Sequence, residues 1–219
     1  MMPYSGEICF IGSNEVLSTF FRKKGYLVSQ FGRNSDPPIN FCGESYKSEV
    51  ISIANAEAHS HYLICAGLLQ SVPIVEQTSS QICDSFLVNA AGPVITSELL
   101  LTHDPKARII ILGSESAKKG SFDLSYALSK SSLSTYIRNK RVGKSQQLIL
   151  LSPSTVEDLG MTLRRKDQER VSKYRSEHPK ERFIKGSELA LLIYNIFQSS
   201  IYLTNTEIEI NGGKFASMI

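Results

Sequence analysis

The chain has 219 residues, 42% hydrophobic and 21% charged, and its 24 Lys and Arg against 21 Asp and Glu leave a net charge of +3. That length supports one sizeable core and is short for two, so a single domain over 1–219 is expected. No uninterrupted apolar run approaches the roughly 20 residues of a membrane span, the opening MMPYSGE lacks the features of a signal peptide, and the charge is too small for a nucleic-acid binder, which together predict a cytoplasmic protein with neither membrane nor nucleic-acid partners.

Five short apolar runs are bounded by glycine or polar residues in the manner of buried strands: EICFIG (7–12), GYLVSQF (25–31), HYLICAG (61–67), ARIIILG (107–113) and QQLILLS (146–152). Stretches with helical spacing separate them: NEVLSTFFRKK, KSEVISIANAEA, the segment from Thr78 to Leu101, and ALSKSSLSTYIRNK. This alternation predicts repeated βαβ units and hence an α/β fold, a Rossmann-like doubly wound parallel sheet. Beyond Pro153 the pattern gives way to a polar, charged segment that runs to about Pro179. It resumes with a helix in GSELALLIYNIFQSS and a last strand before Gly212 and Gly213. Ligands of such sheets bind beyond the carboxyl ends of the strands, so the informative loops follow Ile11, Phe31, Cys65, Leu112 and Leu151.

Cys9, Cys42, Cys65 and Cys83 are widely spaced with no Cys-x-x-Cys pair, which argues against a disulfide frame or a metal site. His59 and His61 stand two apart at a helix-to-strand junction and are expected to point to different sides, so they should not share a metal.

In SYALSK (125–130), Tyr126 and Lys130 lie four apart on one face of the predicted helix, where an ammonium favours the phenolate of a neighbouring tyrosine. A tyrosine titrates near pH 10, and a cation that lowers this value makes it useful for proton transfer at neutrality. The bland reading is a helix surface that carries a Tyr and a Lys. Ser114 directly follows the strand ARIIIL at the ligand-binding end of the sheet, either as a hydroxyl facing a ligand or as a turn cap. Asn89, in SFLVNAAGP, lies in the long helix between HYLICAG and ARIIILG, as a functional amide or as a satisfied helix-interior one.

In these residues the chain resembles the short-chain dehydrogenase/reductase family. Its pattern is a serine after the family's fifth strand, Tyr-x-x-x-Lys on the next helix, and an asparagine in the fourth helix. The resemblance covers nearly the whole chain: ICAG (64–67) is similar to the family's Asn-Asn-Ala-Gly strand end, LSPSTV (151–156) to its Pro-Gly turn, and IEINGG (208–213) to its C-terminal strand and Asp-Gly-Gly. It implies hydride transfer between NADP, or NAD, and a carbonyl or secondary alcohol of a small-molecule substrate, in a homodimer or homotetramer. Tyr126 would pass a proton to or from the substrate oxygen and Ser114, with Ser116 as its rival, would hydrogen-bond that oxygen. Lys130 would lower the tyrosine's pKa and hold the nicotinamide ribose, and Asn89 would support a water linking the lysine to solvent. The cofactor would lie along Gly12, Ser13, Asn14, Arg33, Asn34, Ala66, Gly67 and Pro153, with Tyr126 and Lys130 at its reactive end.

The chain departs from the family at its glycine-rich turn. IGSNEVL keeps only Gly12, and the distance to Gly25 is about four residues short of the family pattern. Ser13 or Asn14 can cap the following helix and leave its positive end to an anion, while Glu15 beside a phosphate would repel it. FCGES lacks the aspartate that the family often places against the adenine. FGRNSD puts Arg33 and Asn34 at the end of the second strand, where a guanidinium suits the 2′-phosphate of NADP; the same residues also make an ordinary solvated turn. Residues 161–185 carry nine basic and four acidic side chains. They form a basic lid at about 154–180, with Arg164, Arg165 and Lys166 drawing in an anionic or sugar-type substrate, or else a solvated mixed-charge helix. The shortened loop keeps a second reading open, a catalytically degenerate protein of this fold that serves binding, regulation or assembly.

Overall fold

Strands and helices alternate as the βαβ periodicity requires. The computed structural model describes residues 6–56, 59–163 and 168–216. In chain order the elements are β1 (Glu7–Ile11), α1 (Glu15–Lys23), β2 (Leu27–Phe31), α2 (Tyr46–Asn55), β3 (His61–Ile64), a 3-10 turn (Ile74–Glu76), α3 (Ser79–Phe86), a π-turn (Leu87–Ala91) and α4 (Gly92–His103). There follow β4 (Arg108–Leu112), α5 (Ser116–Lys119), α6 (Leu124–Asn139), β5 (Gln147–Pro153), α7 (Gly160–Leu163), α8 (Gln168–Ser176), α9 (Gly186–Gln198) and β6 (Thr206–Ile210). The strands form one parallel sheet in the order β2-β1-β3-β4-β5-β6. The order reverses between β1 and β3, and a crevice for a ligand opens at such a switch point.

The four inner strands β1, β3, β4 and β5 are buried on both faces, and their alternate residues serve opposite cores. Cys9 and Ile11 of β1 and Ile109 and Ile111 of β4 join Val50, Leu100, Leu133 and Ile137 from α2, α4 and α6. Ile8, Phe10 and Ile110 pack the other way, with Leu17 and Phe21 of α1 and Ile193 and Phe197 of α9. Phe21 ties the second core together, meeting Phe10, Tyr26 and Phe197 at ring separations of 5.9, 5.4 and 6.5 Å. Full burial of one such side chain contributes roughly 1.5–3 kcal/mol.

The segment Ser79–His103 is a continuous run of 25 helical residues containing an 18-residue window of mean hydropathy 1.2, long and apolar enough to cross a membrane. The sequence shows no uninterrupted apolar run of that length because Gln81, Asp84, Asn89 and Glu98 break it. Here Thr96, Ser97, Leu100 and Leu101 bury one face of it in the protein.

Close backbone approaches set the upper rim of the sheet. Gly12 takes φ +110°, its amide donates to Phe31 O at 2.7 Å, and a Cβ there would lie 2.6 Å from the Ala66 amide nitrogen. Only glycine satisfies both the angle and the approach. Gly113 lets the end of β4 lie against Ser152, whose Oγ would be 2.3 Å from an added Cβ.

Candidate active site

A cleft of about 1230 Å³ opens along the carboxyl ends of the strands. Gly12, Ser13, Asn14, Arg33, Asn34, Ala66 and Gly67 border one part of it. Ser114, Ser116, Tyr126, Lys130 and Pro153 border the other. Of the residues singled out from sequence, Asn89 is fully buried outside it.

Tyr126 and Lys130 owe their placement to the start of α6. Asp123, fully buried, caps that helix: its Oδ1 accepts from the Tyr126 amide at 3.1 Å and from Ser125 Oγ at 2.7 Å. The same carboxylate accepts from Gln77 Nε2 at 2.9 Å and from the Gln70 amide at 2.7 Å, tying α6 to the segment after β3. A helix pinned at four points presents Tyr126 and, one turn on, Lys130 to the cleft floor, 7% and 3% exposed.

The Tyr126 hydroxyl and Ser114 are neighbours in the cleft, close enough for the serine to hold the phenol's pKa down. Ser114 is also a turn cap, its Oγ accepting from the Ser116 amide at 3.2 Å, and it borders the cleft. Ser116 itself begins α5 and leaves the contact with the phenol to Ser114.

The electrostatics correct one expectation. Burial raises the Tyr126 pKa, the neighbouring Ser114 works against that rise, and the Asp123 charge adds to it. The Lys130 ammonium donates instead to the Leu112 carbonyl at 2.8 Å, and it is not among the groups that shift the phenol. Burial lowers Lys130 itself to about 8. Cys65, at the end of β3 beside this lysine, is a neutral thiol that desolvation pushes up to about 12.

The Asn89 side chain is bonded to the backbone just beyond Gly67. Its Oδ1 accepts from the Leu68 amide and its Nδ2 donates to the Leu68 carbonyl, both at 2.8 Å. The π-turn widens the helix at this point, with the Gly92 amide reaching Leu87 O. Asn89 therefore fixes the cleft wall after Gly67, with one bond at each polar end of its side chain.

At the shortened turn Asn14, not Ser13, is the cap, its Oδ1 accepting from the Leu17 amide at 3.1 Å. The Asn14 amide is held by Gln30 Oε1 at 3.2 Å. Glu15 turns away along α1, accepting from Thr19 Oγ1 at 3.1 Å and pairing with Arg22 at 3.4 Å. Arg33 and Asn34 are exposed on a turn braced by Ser35, whose Oγ accepts from the Gly32 amide and donates within the turn, each at 2.8 Å. Arg33 makes no ion pair among the described residues.

Three contributors were not singled out from sequence. Asp123 is one. Phe41, 6% exposed, borders the cleft with its ring against Gly92, where a Cβ would come within 2.4 Å; a glycine inside a helix was the available signal. Glu115, with Lys119 and Lys214, is the third. Leu159, Thr162, Tyr174 and Glu177 of the expected lid border the cleft, while Arg164, Arg165 and Lys166 lie outside the described residues. His59 pairs with Glu7 at 3.2 Å, whereas His61 lies edge-on to Phe197. All four cysteines are free thiols.

No protein-family model matches the sequence. No curated protein matches it either. Solved structures do. A short-chain dehydrogenase/reductase from Brucella melitensis described as a glucose/ribitol dehydrogenase superposes with a TM-score of 0.84 at 16% identity, over 98% of this chain and 99% of that one. The ligand-free aldohexose dehydrogenase of Thermoplasma acidophilum gives 0.81 at 14% identity, covering 98% and 97% of the two chains. BdcA, solved in complex with NADPH, gives 0.78 at 17% identity over 95% and 94%. Strand order, switch-point cleft and superposition over nearly the full length agree: the fold of this chain is that of the short-chain dehydrogenases/reductases.

Proposed function

We propose that the protein is an NADP-dependent oxidoreductase of the short-chain type that reduces a carbonyl of a small molecule to an alcohol. One observation carries this reading: a buried tyrosine with Ser114 beside it and a buried lysine one turn away, all bordering the same cleft. When bound, the nicotinamide supplies the hydride. Ser114 would donate to the substrate oxygen and fix the carbonyl, and Tyr126 would deliver the proton to that oxygen as it becomes an alkoxide. A phenol whose pKa is raised keeps its proton at neutral pH, the protonation state that donation to a substrate oxygen requires. Lys130, released from the Leu112 carbonyl, would hold the nicotinamide ribose and set a positive field beside the developing oxyanion.

The residues suit a dinucleotide of this kind. The first-turn amides of α1 and its positive end face the phosphate region, where Asn14 has satisfied only the Leu17 amide. Phe41 offers a flat apolar edge for the adenine. Arg33, exposed at the end of β2, suits a 2′-phosphate. The segment at 154–180, which borders the cleft through Tyr174 and Glu177, would act as the substrate lid. Exposed Leu124 and Leu128 on α6, with Phe86 and Leu87 across from them, support assembly as a homodimer or homotetramer of a cytoplasmic protein.

A second reading, a binding module without turnover, draws support from the one-glycine turn closed against Ala66. Titration with NADPH and NADH, followed by nicotinamide fluorescence, separates the two readings when combined with a carbonyl panel. NADPH binding with turnover that Tyr126→Phe abolishes is the expected result. NADPH binding without turnover on any panel member favours the binding module, and failure to bind either nucleotide removes the oxidoreductase.

A further inference from the structure

Glu115 directly follows Ser114, and its amide donates to the Pro153 carbonyl at 2.9 Å, which fixes the residue in the cleft wall. Its side chain is only 4% exposed and carries two ammoniums, Lys119 Nζ at 2.6 Å and Lys214 Nζ at 3.1 Å. Lys119 belongs to α5. Lys214 arrives from the opposite end of the chain, in the turn after β6 that the Lys214 amide closes on Asn211 O at 3.2 Å. Both lysines border the cleft, and Lys119 Nζ lies 5.7 Å from the centre of the Tyr174 ring. Glu177, an acidic group that also borders the cleft, is 57% exposed and pairs with Lys173 at 3.7 Å. Two ammoniums on one carboxylate leave a positive charge and N–H donors that Glu115 alone does not use.

We infer that Lys119 and Lys214 form a subsite for an anionic group of the substrate, a carboxylate or a phosphate carried by a carbonyl compound whose oxygen meets Ser114 and Tyr126. The position of the carbonyl rests on the reductase reading; the binding of the anion does not. Glu115 holds the two like charges together without a ligand and competes with an incoming anion for them. A neutral group seated there would desolvate the ammoniums without compensation, so the subsite discriminates as well as attracts.

Thermal unfolding of the cofactor-free Arg33→Ala protein, which lacks the guanidinium at the cofactor end, tests this with added inorganic phosphate and, separately, acetate. A rise in Tm that is lost in Lys119→Gln and in Lys214→Gln but kept in Lys119→Arg supports the subsite. A larger response to phosphate assigns a phosphorylated substrate, and a larger response to acetate a carboxylate. Glu115→Gln, freed of the internal competitor, should respond at a several-fold lower anion concentration. No rise at all, the same rise in every variant, or a shift of Glu115→Gln to higher concentration overturns the inference. In turnover, a carbonyl acid should exceed its methyl ester by about tenfold or more in kcat/KM, with the preference gone in Lys119→Gln; equal values in the unaltered protein also overturn it. Since the thermal measurement needs no cofactor, failure to bind NADPH would end the reductase reading without deciding the subsite.

Discussion

The two halves of the cleft are built on opposite principles. At the reactive half, buried groups are held by many short polar contacts before any ligand arrives: Asp123 alone makes four with α6 and the segments that pack on it. At the phosphate half, the exposed Arg33 sits on a turn that braces itself through Ser35, and Gly12 is fixed by backbone approach rather than by a side chain. The first half is held in place by its own polar contacts and tolerates little change. The second offers charge and open amides, and its side chains should be replaceable at modest cost.

The sharpest test of that contrast is Tyr126→Phe. It removes the proton donor while keeping the ring packing, so turnover should fall by about 10²–10⁴-fold with thermal stability nearly unchanged. A fall in turnover under threefold would mean that another group delivers the proton. Next in size is Asp123→Ala, which deletes the cap of α6 and strands Gln70, Gln77 and Ser125. The loss should be about 3 kcal/mol, seen as a Tm lower by on the order of 10 °C. Asp123→Asn, which keeps an acceptor for the Tyr126 amide, should recover part of the stability and of kcat. If Asp123→Ala melts like the unaltered protein, the preorganisation argument fails.

At the other half, Arg33→Ala should weaken NADPH binding by roughly 10–100-fold and leave NADH within about twofold, because a charge-assisted contact to one extra phosphate is worth about 1.5–3 kcal/mol. Equal losses for both nucleotides would place Arg33 on the shared part of the cofactor. A neutral outcome for both would make it a solvated turn residue.

What the sequence makes legible follows the range of the interactions. EICFIG, HYLICAG and ARIIILG are readable as buried strands because their signal is local, and the order of Ser114, Tyr126 and Lys130 along the chain already places them at one end of the sheet. The helix through Asn89 is readable too, but not its π-turn, since LVNAA has nothing that marks it off from an ordinary helical turn. Nor was the use of Asn89 readable, because its partner is the backbone of Leu68, 21 residues away. The choice between Ser13 and Asn14 as cap depended on Gln30 in the neighbouring strand. Lys130 is the instructive failure. Spacing put an ammonium next to a phenol, whereas a carbonyl at the end of β4 offered it a better acceptor. Glu115, Lys119 and Lys214 came together only through folding, since 99 residues separate the carboxylate from the second lysine.

The smallest expected effect concerns Glu15, whose charge at the mouth of α1 looks hostile to a phosphate. Its carboxylate instead points along the helix to Thr19 and Arg22, and the pair is 77% and 46% exposed on the Glu and Arg sides. Glu15→Gln gives up a favourable interaction with the helix dipole and an exposed ion pair, together about 0.5 kcal/mol of stability. It should raise NADPH affinity less than about threefold at 0.15 M salt, since exposed charges are screened over about 8 Å. A tenfold gain would show that Glu15 swings back over the amides when no ligand is bound. The phosphate half would then be closed by its own side chain, and the tolerance claimed for it would not hold.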